Sequence, residues 1–382
     1  MSRRSAYIYS DALSRHVLRE DHPFVPSRLR LAYELLESYH AFKESDALLV
    51  SPRPATEEEV ASFHDKEYVA AVKGFSRGQS LVDPAIYNFS DYGDNPTYKG
   101  MYEASALAVG ASLVSAEQVL DGEVDVAFNT SGGLHHAGPK YASGFCVFND
   151  VAIAIGYLLK WGMRVAYVDI DVHHGDGVQD AFYDTDAVLT ISLHESGQYL
   201  FPGTGHVAEM GTGKGKGYAV NLPLAPYTDD ERYLWAFNEV VPPLIKAFNP
   251  DILVTQLGID SHYLDPLAHL QLTTHAYTTA IEELGKLAPK WIALGGGGYE
   301  PGTFARSITL AYGVMINKEW PNEIPPDYRE RYGLTELRDR DRPNIEESAK
   351  ETAQRFAEDS VQEIKKLIFP FHGIRSLIPP SS

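Results

Sequence analysis

The stretch VAYVDIDVHHGDG, residues 165–177, places three aspartates and two histidines at the end of a short apolar run. Side chains alternate between the two faces of an extended strand, so Asp169, Asp171 and His173 are expected on one side. Charged groups are rarely buried unless they are paired or bind a metal. The end of this predicted strand is therefore a candidate for metal chemistry.

Other predicted strands of the chain also end in residues that could take part in chemistry. They are followed by His135 and His136 in VAFNTSGGLHHAG, by Asp260 in VTQLGID, and by Tyr299 in IALGGGGY. Ligands bind outside the carboxyl ends of the strands in open α/β sheets. We therefore expect all these side chains to meet at one edge of the sheet, which packing alone would not explain.

Asp171, His173 and Asp260 form the set that we expect to bind a divalent metal. Two carboxylates and one imidazole supply three ligands and leave a coordination position open for water and a substrate oxygen. An open position is typical of a catalytic site, whereas structural zinc sites are closed and usually rich in cysteine. A hydrogen-bonded polar cluster without a metal is the alternative that the spacing alone leaves open.

His135 and His136 are adjacent, so they would point in opposite directions from an extended chain. A loop opened by the glycine pair before them could let both reach one pocket. We expect Asp169 and Asp176 to accept one ring N–H each, which would fix the tautomers. Different surroundings can push two imidazoles to different pKa values and so give one site an acid and a base. For a histidine pair alone, a surface turn would be the alternative.

Short apolar runs alternate with segments of helical spacing through most of the chain. This alternation predicts an α/β fold in which helices cover both faces of a parallel sheet. The predicted strands are 46–52, 124–130, 164–171, 187–195, 217–224, 251–260 and 290–298. The predicted helices include 149–162, 230–248, 278–288 and an amphipathic helix at 343–368. We expect one domain over residues 1–382, with a helical extension over residues 320–382 packed on it.

The chain has 382 residues, a net charge of −19 and one cysteine, Cys146. Because nucleic-acid binding requires clustered Lys and Arg, this charge argues against a nucleic-acid partner. An acidic surface attracts cationic ligands such as lysine-rich peptides or polyamines, although it could equally serve solubility alone. No apolar run is long enough for a transmembrane helix, and the first residues are too polar for a secretory signal. We expect a cytoplasmic protein without a disulfide or a membrane partner.

Six stretches resemble, in order, motifs of the class I-like histone deacetylase family of the arginase/deacetylase superfamily, which includes bacterial acetoin-utilisation deacetylases. They are GGLHHAG, SGFCVFNDVAIA, DIDVHHGDGVQDAF, SLHESGQYLFPGTG, GIDSHYLDPLAHL and LGGGGYEPGTFAR. Weaker matches in HPFVPSRLRLAYELLESY and FHDKEYVAAV extend the likeness to nearly the whole chain. The resemblance implies a single-domain arginase/deacetylase fold with a central parallel sheet of about eight strands. It implies hydrolysis of Nε-acetyl-lysine, or of a related acylated amine, to a free amine and acetate.

The resemblance also implies a role for particular residues. The ligands of zinc, or of ferrous iron, would be Asp171, His173 and Asp260. The catalytic residues would be His135, His136, Asp169, Asp176 and Tyr299. A narrow substrate tunnel would be lined by Gly144, Phe145, Phe201 and Leu267, with Asp94 at its rim. A structural potassium ion would be held by Asp169, Asp171, the carbonyl of His173, Ser192 and Leu193. A second potassium ion would be held by carbonyls of Phe182, Thr185, Val188 and Tyr218.

In the implied reaction, His136 oriented by Asp176 is the expected base that deprotonates the metal-activated water and then protonates the amine. His135 would tune the electrostatics or share the proton transfer, and the sequence leaves both open. Tyr299 would donate its hydroxyl to the developing oxyanion, a contact worth about 3 kcal/mol. We expect His174 to be structural.

Other functions fit parts of this pattern. A binuclear manganese ureohydrolase would need a second bridging carboxylate, but Ser261 and His262 stand where it is expected. A catalytically inactive acetyl-lysine reader would lack the tyrosine or a histidine, and neither is missing. An amidohydrolase of acetylated polyamines or other small molecules is the alternative that stays open. Leu267 argues against it, because an acidic residue there would favour a polyamine cation.

Overall fold

The computed structural model describes residues 3–15, 17–43, 46–79 and 81–375. These residues contain one sheet of eight strands in the order β2-β1-β3-β8-β7-β4-β5-β6. The strands are β1 (Ser5–Ile8), β2 (Ala47–Val50), β3 (Val126–Asn129), β4 (Val165–Asp169), β5 (Val188–Glu195), β6 (Ala219–Leu224), β7 (Ile252–Gln256) and β8 (Trp291–Leu294). Every neighbouring pair is parallel. The carboxyl ends of all eight strands therefore lie at one edge of the sheet.

Helices cover both faces of this sheet. Within the described residues they are α1 (Ser27–Ser38), α2 (Glu57–Val60), α3 (Lys66–Ser76), α4 (Met101–Leu120), α5 (Asp150–Lys160), α6 (Asp176–Ala181), α7 (Asp230–Phe248), α8 (Thr274–Leu287), α9 (Pro301–Met315), α10 (Pro326–Tyr332) and α11 (Glu347–Leu367). Val165 and Tyr167 of β4 pack on one face in a cluster with α4 and α5. Ala166 and Val168 pack on the other face with α1, α7, α8 and α9. Apolar residues at both alternating positions are what a sheet buried on both faces requires, and the predicted fold class is confirmed.

The structure contains all seven predicted strands and one strand that was not predicted. The additional strand is β1, whose four residues lie in a polar N-terminal stretch and pair with β2 and β3. All seven predicted strands are shorter in the structure. At the carboxyl ends that matter for the site, β4 stops at Asp169, β7 at Gln256 and β8 at Leu294. The residues that could do chemistry therefore lie mostly in the loops after the strands. Side-chain hydrogen bonds, and not strand alternation, must position them.

The chain after α9 packs back on the main body through α11. This helix contacts α7 and β6, and the hydroxyl of Ser360 donates a hydrogen bond to the carbonyl of Pro223 at 2.9 Å. It lies within the predicted helix 343–368, and residues 376–382 of the predicted extension lie outside the described residues. None of the helices in the described part of the chain is both long and apolar enough to span a membrane.

Candidate active site

The side chains of Asp171, His173 and Asp260 converge in a buried cluster beyond the ends of β4 and β7. Nδ1 of His173 lies 3.1 Å from Oδ1 of Asp171 and 3.0 Å from Oδ2 of Asp260. One ligand atom from each residue lies within 4.8 Å of the other two. Among the described residues, this is the one group of three or more His, Cys, Asp or Glu side chains that could hold a metal ion.

Backbone and amide donors hold both carboxylates of this cluster in place. Oδ2 of Asp171 accepts hydrogen bonds from Nε2 of Gln256 at 2.6 Å and from the backbone of Gly297 at 2.7 Å. Oδ1 of Asp260 accepts one from the backbone of Val172 at 2.9 Å. Glycine is required at position 297, because a Cβ there would lie 1.8 Å from Oδ2 of Asp260. The donor atoms are therefore fixed by their surroundings, as is usual for metal ligands.

The electrostatics of the cluster favour a positive charge. Burial opposes protonation of His173, but the Asp171 and Asp260 carboxylates outweigh it and raise its pKa to about 10. Burial and the neighbouring charge of Asp171 raise the pKa of Asp260 to about 7. Two carboxylates and one imidazole nitrogen aimed at one point form a donor set that fits a divalent metal ion.

Each of the two adjacent histidines is hydrogen-bonded to its own aspartate. Nδ1 of His135 lies 2.7 Å from Oδ2 of Asp169, and Nδ1 of His136 lies 2.7 Å from Oδ1 of Asp176. The two imidazole rings lie 4.0 Å apart between centroids, and both are buried. A carboxylate at Nδ1 fixes the tautomer and leaves Nε2 of each ring available for proton transfer.

The surroundings push the pKa values of the two histidines apart. Burial opposes charging of His135, but the carboxylates of Asp169 and Asp171 outweigh it and raise its pKa to about 9. Burial and the positive charge of His135 lower the pKa of His136 to about 4. Two imidazoles with such different proton affinities can supply an acid and a base to one site.

The loop that carries this histidine pair is anchored by Asp150, which sequence reasoning missed. Its carboxylate accepts hydrogen bonds from the backbone of Gly133 at 3.1 Å and of Leu134 at 2.8 Å. Gly133 has a φ of +87°, and a Cβ there would lie 2.2 Å from the carbonyl oxygen of Gly295. The one sequence signal for Asp150 was an aspartate in the first turn of an otherwise apolar helix, α5.

Tyr299 lies at the end of the four-glycine loop that follows β8. Burial and the nearby Asp260 carboxylate raise its pKa well above the usual range, so it stays protonated. Its backbone N–H donates a hydrogen bond to Oδ2 of Asp265 at 2.7 Å, and its ring packs edge-on against Phe145 with centroids 5.6 Å apart. The hydroxyl has no hydrogen-bond partner among the described residues. It is a donor available to a substrate.

Arg28 of α1 supports this glycine loop and was also missed from the sequence. Its buried guanidinium donates hydrogen bonds to the carbonyls of Gly296, at 2.7 Å, and Gly298. Its Cζ lies 5.7 Å from the centroid of the Tyr299 ring. The one signal was an arginine among the apolar residues of RLRLAYELL, a stretch that forms α1 and buries this arginine. Its partners are backbone groups far along the chain.

Phe145 and Phe201 flank the cluster on two sides. The ring of Phe201 lies edge-on to the rings of His136, at 5.1 Å, and His173, at 6.3 Å, between centroids. Phe145 contacts the site tyrosine as described above. Gly144 has a φ of +49°, and a Cβ there would lie 2.3 Å from the His136 ring. The backbone of Gly144 thus lies directly against the His136 ring, where a side chain would not fit.

Leu267 and Asp94 are each connected by a hydrogen bond to a residue that contacts Tyr299 or Phe145. The backbone N–H of Leu267 donates to Oδ1 of Asp265 at 2.9 Å, the carboxylate that also holds the site tyrosine. The carbonyl of Asp94 is 3.1 Å from Nε2 of His22, whose ring packs against Phe145 with centroids 4.6 Å apart. The side chain of Asp94 is exposed. A role in binding substrate stays a prediction for both residues.

Comparison with known proteins decides to which family this site belongs. Residues 22–315 match the family model of the histone deacetylase domain. The chain belongs to the histone deacetylase family. It is 41% identical over 341 residues to the acetoin utilization protein AcuC of Bacillus subtilis (strain 168), which spans 85% of this chain and 86% of that protein. It is 40% identical over 305 residues to AcuC of Staphylococcus xylosus, over 78% and 79% of the two chains.

Solved structures show the same fold at close similarity. A crystal structure of a histone deacetylase homologue complexed with SAHA superposes with a TM-score of 0.86 at 32% identity, over 95% of this chain and 100% of that one. A homologue from Aquifex aeolicus has a TM-score of 0.84 at 32% identity, over 93% and 100%. The chain is thus a histone deacetylase-like hydrolase of the acetoin-utilisation type. Its family acts on acetylated substrates and generally depends on a metal ion.

The residues assigned to potassium by resemblance lie around β4 and β5. Asp169 of β4 lies opposite Ser192 of β5, and Leu193 is the next residue of β5. Asp171 and His173 follow the end of β4. The second set comprises Phe182 at the end of α6, Thr185 in the following turn, Val188 at the start of β5, and Tyr218 just before β6. Potassium binding at either place stays a prediction.

Two further histidines lie near the cluster without joining it. His174 is hydrogen-bonded to Oγ1 of Thr204 at 2.8 Å and Oε1 of Gln179 at 3.2 Å. Nε2 of His262 lies 2.8 Å from Oδ2 of Asp339. Both imidazoles are satisfied by other partners, so the geometry supports a site for one metal ion.

Proposed function

We propose that this chain hydrolyses the Nε-acetyl group of lysine side chains, giving lysine and acetate, at a single divalent metal ion. One observation carries the proposal. The buried set of Asp171, His173 and Asp260 lies directly beside two histidines that are each hydrogen-bonded to a carboxylate. That combination supplies both a metal site and a positioned proton carrier, which are the two requirements for metal-assisted amide hydrolysis.

Zinc is the metal that we propose, and ferrous iron would fit the same ligands. When bound there, such an ion polarises the acetyl carbonyl and lowers the pKa of a water molecule. Asp171, His173 and Asp260 would hold it, and the residues around them hold those ligands in turn. A structural potassium ion at one or both of the sites described above is part of the proposal.

His136 is the residue that we assign as general base. Its ring lies against Phe201 and toward His173, so it faces the space where a substrate must enter. Asp176 at Nδ1 holds the ring and stabilises the imidazolium that forms when Nε2 takes a proton from water. The same nitrogen then returns the proton to the departing lysine amine. His135, held by Asp169, would supply positive charge beside the reacting carbonyl.

Tyr299 is assigned to the substrate oxygen. Its hydroxyl is protonated and without a hydrogen-bond partner among the described residues, so it can donate to the oxyanion that develops on the acetyl carbonyl. Gly144, Phe145, Phe201 and Leu267 would line the tunnel for the lysine side chain. Asp94 at the rim would accept hydrogen bonds from the backbone of the substrate. Further parts of the proposal are a cytoplasmic location, no nucleic-acid partner, and one domain with residues 320–382 as its helical extension.

A comparison of two substrates tests the choice of acetyl-lysine over an acetylated polyamine. We expect kcat/KM for an acetyl-lysine peptide to exceed that for an acetylated polyamine by at least roughly tenfold. Leu267 is uncharged and cannot form an ion pair with the ammonium groups of a polyamine. The variant Leu267→Glu is the matched control and should narrow this ratio. A parent protein that prefers the polyamine would contradict the proposed substrate and leave the amide hydrolysis itself standing.

A further inference from the structure

A buried carboxylate connects the two loops that carry Phe201 and Leu267. Glu195 is the last residue of β5, and its side chain is fully buried. Oε2 accepts a hydrogen bond from the backbone of His269 at 2.9 Å, and Oε1 accepts one from Nδ1 of the same residue at 2.8 Å. The chain after Glu195 leads to Phe201, while His269 lies two residues beyond Leu267. We call this pair the Glu195–His269 clamp.

The clamp holds one end of residues 265–269, the rim segment. The other end is held by the buried Asp265, which accepts hydrogen bonds from the backbones of Leu267 at 2.9 Å and Tyr299 at 2.7 Å. The rim segment contains no helix or strand. Its position therefore depends on these two carboxylates together with single backbone hydrogen bonds at its ends, such as the one from Tyr227 to the carbonyl of His269 at 2.9 Å. Leu267 lies between the two carboxylates.

Glu195 is itself fixed relative to the metal cluster. Its backbone N–H donates to the carbonyl of Val172 at 2.9 Å, and the backbone of Val172 donates to Oδ1 of Asp260 at 2.9 Å. Val172 lies between two of the proposed metal ligands in the chain. The clamp thus sets the distance of the rim segment from the metal cluster.

The chemistry of the clamp explains why it would be effective. A buried carboxylate is strongly disfavoured unless donors satisfy it. Among the described residues, His269 supplies both a backbone and a ring N–H to this one, while 53% of its own side chain stays exposed. His269 can therefore be replaced without opening a cavity in the core, although the carboxylate depends on it.

We propose that Glu195 is a positioning residue that holds Leu267 against the lysine side chain of the substrate, acting through His269. This inference rests on the proposed function, because it assigns a purpose to the tunnel wall. The wall contacts the methylene groups of the substrate equally in the ground state and in the transition state. Loss of such a contact raises KM and leaves kcat unchanged.

The test uses His269→Ala and His269→Asn in the full chain, with His206→Ala as control. His206 is another exposed histidine, on the loop after Phe201. Its backbone N–H donates to Oε1 of Glu209, but its ring has no carboxylate partner among the described residues and accepts a hydrogen bond from the backbone of Ala208 at 3.1 Å. We expect His269→Ala to raise KM for an acetyl-lysine peptide by roughly five- to tenfold with kcat within about twofold of the parent. His269→Asn should stay close to the parent, because its Nδ2 can take the place of Nδ1. His206→Ala should change neither constant.

Hydrogen exchange supplies a readout that needs no activity. Amides of the rim segment should exchange at least roughly tenfold faster in His269→Ala than in the parent or in His269→Asn. Unchanged KM and exchange in His269→Ala would overturn the inference, as would a fall in kcat alone, or an Asn variant that behaves like Ala. A parent that releases no acetate would contradict the proposed function instead, and exchange would still decide whether the clamp holds the rim segment.

Discussion

Asp171→Ala and Asp260→Ala will each abolish metal binding and hydrolysis, whereas His136→Ala will keep the metal and lose turnover. Three ligands leave no spare, and each aspartate also supports its neighbours, since the backbone of Val172 donates to Asp260. His136 is hydrogen-bonded to Asp176 and has no hydrogen bond to Asp171 or Asp260. Its loss should therefore remove only the proton carrier. Removal of a general base lowers kcat by about 10²–10⁴. Metal content per chain and kcat, measured on the same preparations, separate the two groups.

Asp180→Asn is the matched control for this prediction. Asp180 is an exposed aspartate in α6, the helix that begins at Asp176. The Asn variant therefore removes one negative charge near the site without disturbing any hydrogen bond of the site. Its metal content and kcat should equal those of the parent. If metal content falls equally in His136→Ala and in the two aspartate variants, the division between ligands and base is wrong.

Tyr299→Phe will lower kcat by about 10²–10³ with little change in substrate affinity, because the lost hydrogen bond forms chiefly in the transition state. The fold should survive, since the hydroxyl has no partner among the described residues and the phenyl ring keeps the contact with Phe145. Such a variant should also retain uncleaved acetylated substrate in a crystal. Steady-state kinetics and a thermal unfolding curve on one preparation measure both effects.

Tyr328→Phe is the control for removal of a buried tyrosine hydroxyl. Its hydroxyl donates to the carbonyl of Leu31 at 3.0 Å, far from the cluster. This variant should lower the melting temperature and leave kcat unaltered, the opposite of Tyr299→Phe. A Tyr299→Phe variant that turns over within about threefold of the parent would remove this residue from the mechanism.

The convergence of Asp171, His173 and Asp260 was easier to predict from the sequence than the residues that hold this cluster in place. These three residues were recognisable because ligand-binding groups follow buried strands in open α/β sheets, and a short apolar run that ends in charged residues is visible locally. Asp150, Arg28 and Glu195 were not recognisable. Their partners lie in other segments of the chain, 268 positions away for the bond from Arg28 to Gly296. The local pattern can mark a charged residue in an apolar segment, as for Asp150 and Arg28, but not the distant group to which it bonds.

The prediction of the fold from the sequence had a similar limit. The seven predicted strands lie in short apolar runs, whereas β1 has four residues in a polar stretch and is stabilised by pairing with β2 and β3 and by burial of Tyr7 and Ile8 in the core. The predicted strand 164–171 was too long, because Oδ1 of Asp169 accepts the backbone N–H of Asp171 at 3.1 Å and turns the chain. That turn, and not strand alternation, brings Asp171 and His173 together.

The metal dependence of acetate release tests the account most directly. The parent protein is purified, its metal is removed with a chelator, and acetate released from an acetyl-lysine peptide is measured before and after addition of zinc or ferrous iron. We predict one ion per chain in the active protein, loss of activity with the ion, and recovery when it is restored. Full activity in protein shown to be free of metal would contradict the account.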